Sequence, residues 1–263
     1  MSDDVITRAA ERLRTAQRTK VACAPVRDLI GDDLDAAYAV QAALTGALIT
    51  DGERVVGHKI GLTSAAVQRQ LGVDRPDFGT LTASMAYADG EPVPLGRFLQ
   101  PRVEAEVAFV LGRDLDTERC TVADVLRATE FLLPAVEIVD SRIADWDITL
   151  TDTVADNGSS GAFVLGTTPV RPGEAVLSDI GMVLEHRGEA VSTGAGAACL
   201  GSPVTAVAWL AGELARRGQP LRAGHVVLSG ALGPVVPVSG AGVHRARLES
   251  LGDVRAVFEG AAA

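Results

Sequence analysis

The sequence predicts an α+β protein with a rolled β-sandwich core behind a small helical N-terminal region. Helical patterns occupy the first part of the chain, strand patterns dominate the rest, and strands and helices do not alternate regularly. No GxGxxG sequence follows a strand, which argues against a dinucleotide-binding fold. We therefore expect a helical region over residues 1–52 and a strand-rich domain over residues 53–263.

The N-terminal region contains two amphipathic patterns. Residues 3–18 carry apolar side chains at helical spacing, and residues 34–49 repeat that spacing before an Asp51-Gly52 turn. A short helix, AAVQRQL, is predicted after Ser64, which can cap it. These patterns predict helices that bury one face each.

The strand-rich part begins at residues 53–64 and contains two further helices. Helices are predicted over 121–130, where Thr121 and Asp124 resemble a capping box, and over 202–217, where Pro203 is the first residue. A hairpin is expected to turn at Arg187-Gly188. Further strands are predicted in the segments 103–111, 131–140, 162–165, 225–230, 235–238, 243–249 and 253–259. Residues 140–161 are predicted to form a polar loop.

The segment 103–111, VEAEVAFVL, has the most informative pattern. Alternate residues of a strand share a face, so Glu104 and Glu106 lie side by side while the opposite face is entirely apolar. Glu137 lies in a second apolar strand. Like charges on a buried face repel unless a cation compensates them, so these three glutamates are candidate ligands for Mg²⁺ or Mn²⁺. The alternative is that they face solvent or pair with Arg102 and Arg142.

Other candidate residues are ambiguous from their spacing alone. Lys59 lies in the apolar middle of a strand and is either an exposed residue or a buried, partnered one. Asp77, in a Pro-Asp and Phe-Gly loop, is of a kind that usually caps its own backbone. The small polar residues 156–160 suit an anion-binding loop or an ordinary tight turn.

Composition excludes several classes of function. The net charge of −10 disfavours nucleic acid or an anionic membrane as a partner. The three cysteines have no CxxC spacing, so neither a zinc site nor a disulfide framework follows. We find no signal-peptide pattern and no apolar run of the length that a membrane helix needs, and we expect a cytoplasmic protein.

Several long motifs resemble one family in order along the chain. These are GHKIGLTSAAVQRQLGVDRPDFGTL, QPRVEAEVAFVLGRDL, PAVEIVDSRIADWDITLTDTVADNGSSGAFVLG, STGAGAACLGSPVTAVAWLA and AGHVVLSGALGPVVPV. Together they resemble the 2-keto-4-pentenoate hydratases of the fumarylacetoacetate hydrolase superfamily. The resemblance implies a mixed β-sandwich roll and a metal-dependent hydratase acting on 2-hydroxypenta-2,4-dienoate or an alkyl homologue in aromatic or steroid meta-cleavage catabolism.

The resemblance also implies roles for individual residues. It assigns Mg²⁺ or Mn²⁺ to Glu104, Glu106 and Glu137. Catalytic roles fall to Lys59 in proton transfer, Asp77 in activating water and Ser160 in holding the substrate carboxylate. Substrate contacts are expected at Leu71 and Ser159.

The 4-oxalocrotonate decarboxylases are the related alternative. They share the lysine, the carboxylates and the VADN turn, but they typically have PIYG and KMG where this chain has PDFG and KIG. Asp77 therefore favours hydration, which needs an additional proton-transfer group. An alternative of another class is a non-catalytic, metal-stabilised partner subunit, which would need neither Lys59 nor Asp77.

The resemblance also implies assembly partners. Family hydratases form homo-oligomers, with decamers built from pentamers as the expected state. Association with a related decarboxylase or a downstream aldolase is a further expectation.

Overall fold

The computed structural model describes residues 2–65, 68–69 and 73–260. Its labelled helices are α1 (Asp3–Thr19), α2 (Arg27–Ile30), α3 (Leu34–Thr50), α4 (Val122–Ala128), α5 (Leu150–Ala155) and α6 (Pro203–Arg216). Its strands are β1 (Val55–Gly61), β2 (Asp77–Thr82), β3 (Ala86–Ala88), β4 (Pro92–Pro94), β5 (Arg102–Leu111), β6 (Thr129–Val139), β7 (Ser160–Leu165), β8 (Gly181–His186), β9 (Glu189–Ala195), β10 (Val226–Leu228), β11 (Val236–Pro237), β12 (Gly242–Leu248) and β13 (Gly252–Glu259).

The strands form two mixed sheets. The larger has eight strands in the order β2-β1-β10-β5-β6-β7-β3, with β11 paired to β5. The smaller has the order β4-β13-β12-β8-β9. Both contain parallel and antiparallel pairs, since β1 runs parallel to β10 and β13 runs parallel to β4. The predicted α+β class is thereby confirmed, as is the hairpin between β8 and β9.

The core lies between the two sheets. Strands β12 and β13 contact β6, and β8 contacts β5. The apolar face of β5 supplies Val103, Val107 and Phe109, which are fully buried as the alternating pattern predicts. The other face of β5 is left for the glutamates, so the core sheet itself positions the site.

The N-terminal helices belong to the same hydrophobic cluster as the sheets. Leu13 of α1 and Val40 of α3 are buried in the cluster that also contains Val107 of β5. Helix α3 packs on α5, and Gln41 of α3 donates to the carbonyl oxygen atoms of Phe78 and Val154 at 2.8 and 2.9 Å. The helices thus brace the elements that carry the candidate site.

Two expectations need correction. Residues 140–161 are not one polar loop, because α5 interrupts them, with its first turn stabilised by Asp152, which accepts the Thr149 backbone N–H at 3.0 Å. The segment 196–216 reaches the length and composition of a membrane-spanning helix, contrary to expectation. Half of that segment is buried inside the protein, however, as in a core helix.

Leu71 and most of the short helix predicted after Ser64 lie outside the described residues.

Candidate active site

The three candidate glutamates meet on two adjacent strands. In the antiparallel pairing of β5 and β6, Glu104 lies opposite Glu137, and Glu106 follows on the same face. Their carboxylate oxygen atoms lie within 4.8 Å of one another. Glu106 and Glu137 are fully buried, so the alternative that they face solvent is wrong for these two residues. We call these three residues the carboxylate cluster.

The carboxylate cluster is short of compensating partners. Glu106 accepts the Gly230 backbone N–H at 2.7 Å through Oε2, but within the described residues its Oε1 and Glu137 Oε2 have no polar partner, and Glu137 Oε1 has only the Lys59 ammonium at 3.2 Å. Burial and the charge of Glu137 raise the pKa of Glu104 to about 7, and burial raises the pKa of Glu106 well above its usual value. Orphaned, all-oxygen, like-charged donors of this kind fit a hard divalent cation.

Lys59 is the cation that the chain itself supplies. It lies in β1 between β2 and β10, it is 3% exposed, and its Nζ is 3.2 Å from Glu137 Oε1 in an ion pair. Burial alone lowers the pKa of Lys59, but Glu137, Asp77 and the other cluster glutamates outweigh burial and raise it. One ammonium therefore faces three carboxyl groups. The alternative that Lys59 is an exposed strand residue is wrong.

The Asp77 carboxyl group packs directly against the backbone of Gly61 in the neighbouring strand. It is the first residue of β2 and pairs with Gly61 of β1. A Cβ atom on Gly61 would lie 2.0 Å from Asp77 Oδ1, so only glycine leaves room for this carboxyl group. Asp77 is 2% exposed, its Oδ1 has no hydrogen-bond partner among the described residues, and burial raises its pKa although Lys59 opposes the rise. It is therefore not the ordinary capping residue of a turn.

Residues 157–160 form a turn, called the serine turn, that lies next to the Lys59 side chain. Asn157, Gly158 and Ser159 have successive φ values of 56°, 61° and 54°. Such a left-handed run is strained for side chains other than glycine and needs outside support. The Asn157 amide accepts the Thr80 backbone N–H at 2.7 Å and donates to the Thr80 carbonyl oxygen at 2.9 Å.

The hydroxyl groups of this turn already have partners. Ser160 Oγ donates to the Asn157 carbonyl oxygen at 2.8 Å, and Ser159 Oγ lies 3.3 Å from Thr153 Oγ1. A Cβ atom on Gly79 would approach the Asn157 carbonyl oxygen to 2.2 Å, so the turn packs directly on the β2 backbone. The turn therefore lies on the backbone of the strand that begins with Asp77, and a Cβ atom on Gly158 would lie 3.3 Å from Lys59 Cδ.

A buried ion pair between Arg142 and Asp156 supports the turn. Arg142 does not pair with the glutamates; its Nε contacts Asp156 Oδ1 at 2.5 Å and its Nη1 donates to the Ser160 carbonyl oxygen at 2.8 Å. Asp156 also accepts the Arg142 backbone N–H at 3.0 Å and the Ser141 hydroxyl at 3.2 Å. We call these residues the Arg142 network. It connects both ends of the strained turn.

The sequence missed several members of the site. It predicted roles for the glutamates, Lys59, Asp77 and the two serines; in the structure Lys59 pairs with Glu137, and the turn that carries the serines packs on the strand that begins with Asp77. It did not identify the Gly230 N–H that orients Glu106 or the Thr153 hydroxyl beside Ser159. Glycine and threonine carry no local signal for such roles. The VADN motif includes Asp156, but it does not indicate that Asp156 pairs with Arg142, which lies 14 positions earlier in the chain.

Comparison with known proteins decides the family. The family model described as the C-terminal part of fumarylacetoacetate (FAA) hydrolase matches residues 49–259. The chain belongs to this family. A relative named TodF product hydratase, from Pseudomonas putida, is 57% identical over 96% of this chain and 95% of its own length. A 2-keto-4-pentenoate hydratase from Burkholderia vietnamiensis is 56% identical over 98% of this chain and 99% of its own.

Solved structures of the family agree with the fold. The 4-oxalocrotonate decarboxylase from Pseudomonas putida, complexed with magnesium and adipate, has a TM-score of 0.94 at 33% identity, covering 98% of this chain and 99% of that one. The same enzyme complexed with calcium and acetate gives a TM-score of 0.93. Both sequence relatives are named as hydratases, so this member of the family is an enzyme of the hydro-lyase class.

Proposed function

We propose that this enzyme adds water to 2-hydroxypenta-2,4-dienoate (2-keto-4-pentenoate) or an alkyl homologue to give a 4-hydroxy-2-oxoalkanoate, within aromatic or steroid meta-cleavage catabolism. The observation that carries the proposal is the buried Asp77 carboxyl group, which lies near Lys59 and the carboxylate cluster and whose Oδ1 has no hydrogen-bond partner within the described ranges. Relatives more than half identical to this chain are named for this substrate.

Glu104, Glu106 and Glu137 would hold a divalent metal ion, Mg²⁺ or Mn²⁺. Two buried oxygen atoms without a polar partner among the described residues, Glu106 Oε1 and Glu137 Oε2, and the raised carboxyl pKa values support this assignment. The magnesium and calcium complexes of the decarboxylase neighbour are consistent with it. A bound ion would supply Lewis-acid stabilisation of the negative charge that develops on the 2-oxygen atom of the substrate.

Lys59 would hold and transfer the proton of the first step. In this step the 2-hydroxydiene becomes a conjugated ketone: the 2-hydroxyl group loses a proton and C5 gains one. The raised pKa of Lys59 keeps Nζ protonated in the metal-free protein. An ammonium buried in the site also stabilises the enolate oxygen electrostatically.

Asp77 would act on the water molecule of the second step. Its carboxylate orients water and takes a proton as the oxygen atom adds to C4 of the conjugated ketone, while C3 gains a proton. The atoms of one water molecule are thereby added across C3 and C4. General base catalysis of this kind contributes on the order of 10²–10⁴-fold in rate.

Ser160 and Ser159 would contact the substrate carboxylate. The Ser160 hydroxyl proton is directed at the Asn157 carbonyl oxygen at 2.8 Å, so binding an anion requires this hydroxyl to rotate. Ser159 is bonded more weakly, at 3.3 Å from the Thr153 hydroxyl, and rotates at a lower cost. Leu71 would complete the pocket.

The second candidate function is that of a 4-oxalocrotonate decarboxylase. The structural likeness to that enzyme, with a TM-score of 0.94, favours it. The identity of 33% to the decarboxylase against 57% to a hydratase favours hydration. A non-catalytic partner subunit is the remaining alternative, and the buried Lys59 and Asp77 argue against it because a structural ion would need neither.

The setting of the enzyme is also a proposal. We expect a cytoplasmic homo-oligomer, a decamer built from pentamers, that associates with a related decarboxylase or a downstream aldolase. A short-lived dienol passed between enzymes gives such association a chemical advantage. Sedimentation of the purified chain tests the homo-oligomer directly.

The test of the proposed function is a combined ultraviolet and NMR assay with 2-hydroxypenta-2,4-dienoate and Mg²⁺. The wild type should give 4-hydroxy-2-oxopentanoate. Asp77→Asn should lose hydration by about 10²–10⁴-fold while still incorporating solvent deuterium at C5, and Lys59→Ala should lose that incorporation. Release of carbon dioxide from 4-oxalocrotonate without hydration, or unchanged hydration by Asp77→Asn, would contradict the proposal.

A further inference from the structure

A cavity of about 670 Å³ opens beside the candidate active site. We call it the tail cavity. It is larger than a five-carbon acid requires, and it is within the range of small-molecule sites. Its aliphatic wall consists of Leu34, Leu62, Val73, Ile148, Leu150 and Val235. These side chains come from separate segments of the chain that the fold brings together.

The tail cavity borders the residues that act on C4. Leu62 follows Gly61, the residue that makes room for Asp77 Oδ1. Thr153 also lines the cavity, and its hydroxyl is one of the groups that oppose the rise in the pKa of Asp77. A substrate that presents its oxygen atoms to the carboxylate cluster and C4 to Asp77 would therefore direct C5 into this cavity.

Trp146 forms the polar edge of the tail cavity together with Arg102. The Arg102 guanidinium carbon lies 4.1 Å from the centre of the Trp146 ring, and Trp146 Nε1 donates to the Gln100 carbonyl oxygen at 3.2 Å. Arg102 lies two residues before Glu104 in β5, at the boundary between the cavity and the carboxylate cluster.

The backbone at Trp146 is held in a costly conformation. Asp145 and Trp146 have successive φ values of 58° and 55°, in the left-handed region that non-glycine residues seldom occupy. Strain of this kind persists where it positions a side chain for function. Here it places the indole ring at the cavity and against Arg102.

We propose that the tail cavity binds an apolar alkyl substituent at C5 of the substrate and that Trp146 determines which substituents fit. The inference rests on the proposed function, since it places the oxygen atoms and C4 of that substrate first. Six aliphatic side chains favour an alkyl group over a carboxylate. Arg102, a cation in the lining of the cavity, is already stacked on Trp146. It also lies near Glu104, whose negative charge would repel a second carboxylate on the substrate.

The expected effect is a preference for short alkyl tails. Burial of one methylene group favours binding by about fourfold, so a methyl or ethyl group at C5 should raise kcat/KM by that factor per carbon. A carboxylate at C5 should lower kcat/KM, because it would lie against the aliphatic wall, Asp32 in the cavity lining would repel it, and the Arg102 guanidinium is already stacked on Trp146. The limit on length should be set at the indole ring.

The experiment compares 2-hydroxypenta-2,4-dienoates that carry hydrogen, methyl, propyl or carboxylate at C5. Trp146→Ala should raise the propyl-to-hydrogen ratio of kcat/KM by at least tenfold, and Trp146→Phe should retain most of the wild-type ratio. Val235→Phe should lower the ratio by filling the cavity. Val176→Phe, at a residue 67% exposed and outside the cavity, is the matched control and should leave the ratio unchanged. Circular dichroism confirms that each variant is folded.

The outcomes separate the inference from the proposed function. If the wild type hydrates none of the four compounds, the proposed function fails and the inference fails with it. If the wild type hydrates the unsubstituted compound, but the ratios are the same in all variants, only the tail cavity assignment is wrong. A wild-type preference for the C5 carboxylate would also overturn it.

Discussion

The carboxylate cluster and the Arg142 network are both buried and charged, but they are built in opposite ways. In the network, one guanidinium faces one carboxylate, and Asp156 also accepts the Arg142 backbone N–H and the Ser141 hydroxyl. In the cluster, three carboxyl groups share one ammonium, and Glu106 Oε1 and Glu137 Oε2 have no polar partner in the part of the chain that the structure describes. A satisfied group stabilises a turn, whereas an unsatisfied one is available for a ligand.

The comparison assigns different consequences to mutation. Breaking the Arg142 network should destabilise the protein and release the turn that carries Ser159 and Ser160, without removing the carboxylate cluster. Neutralising the carboxylate cluster should remove metal binding while stabilising the metal-free chain. The expected signs of the stability changes are therefore opposite.

The largest effect is expected for Arg142→Met. Removing the guanidinium leaves Asp156 buried without its charge partner and frees the strained turn at 157–159. Loss of one partner of a buried ion pair costs about 3–5 kcal/mol of unfolding free energy. Urea unfolding of the variant measures this loss directly.

The control for that prediction is Arg222→Met. Arg222 pairs with Asp114 at 2.8 Å, but both side chains are about half exposed. An exposed pair contributes about 0–1 kcal/mol. Equal losses in the two variants would remove the distinction between the Arg142 network and an ordinary surface pair.

A smaller effect of opposite sign is expected for Glu106→Gln in the presence of a chelator. Burial and neighbouring glutamates raise the pKa of Glu106, so the folded state holds a proton more tightly than the unfolded state does. The stability that this proton confers is therefore lost as the pH rises above the pKa that Glu106 has in the unfolded state. The variant should unfold at an equal or higher temperature than the wild type at pH 8, and a lower one would contradict the account.

The smallest effect concerns a buried neutral group in the other sheet. His244 stacks on His186 with ring centres 4.3 Å apart and meets the edge of Phe258. Burial lowers the pKa of His244 from 6.5 to about 4. As the pH falls from 6.5 towards 4, the unfolded state gains a proton that the folded state excludes, so stability falls.

His244→Phe should reduce this pH dependence. Urea unfolding at pH 7.5 and pH 5 should show a smaller difference for the variant than for the wild type. The slope should not vanish, because burial also lowers the pKa of His58, to about 3. Identical slopes would exclude His244 as a contributor and would attribute acid destabilisation to the other buried groups.

The sequence predicted the fold class well because the apolar alternation of β5 and β6 and the helical spacing of α1 and α3 are local signals. It failed for α5, because the short amphipathic pattern of Leu150–Ala155 is embedded among polar residues. Its capping by Asp152 and its buried contacts, such as Gln41 with Val154, stabilise the helix.

Sequence patterns predicted the charged members of the candidate site but not what orients them. Spacing placed Glu104 and Glu106 on one face, and only the family resemblance indicated that Lys59 and Asp77 are buried beside them. The Gly61 approach to Asp77 and the Gly230 N–H to Glu106 depend on strand pairing between distant segments. Such contacts have no signature in a single sequence.

Mn²⁺ titration followed by electron paramagnetic resonance tests most directly whether Glu104, Glu106 and Glu137 hold a divalent ion. The signal of free Mn²⁺ should be suppressed up to one ion per wild-type chain. Glu137→Gln should bind more weakly than wild type by more than the ~10–100-fold that indirect partners of a metal cost, and exposed Glu189→Gln should bind normally. Wild-type affinity in Glu137→Gln, or no binding by the wild type, would contradict the account.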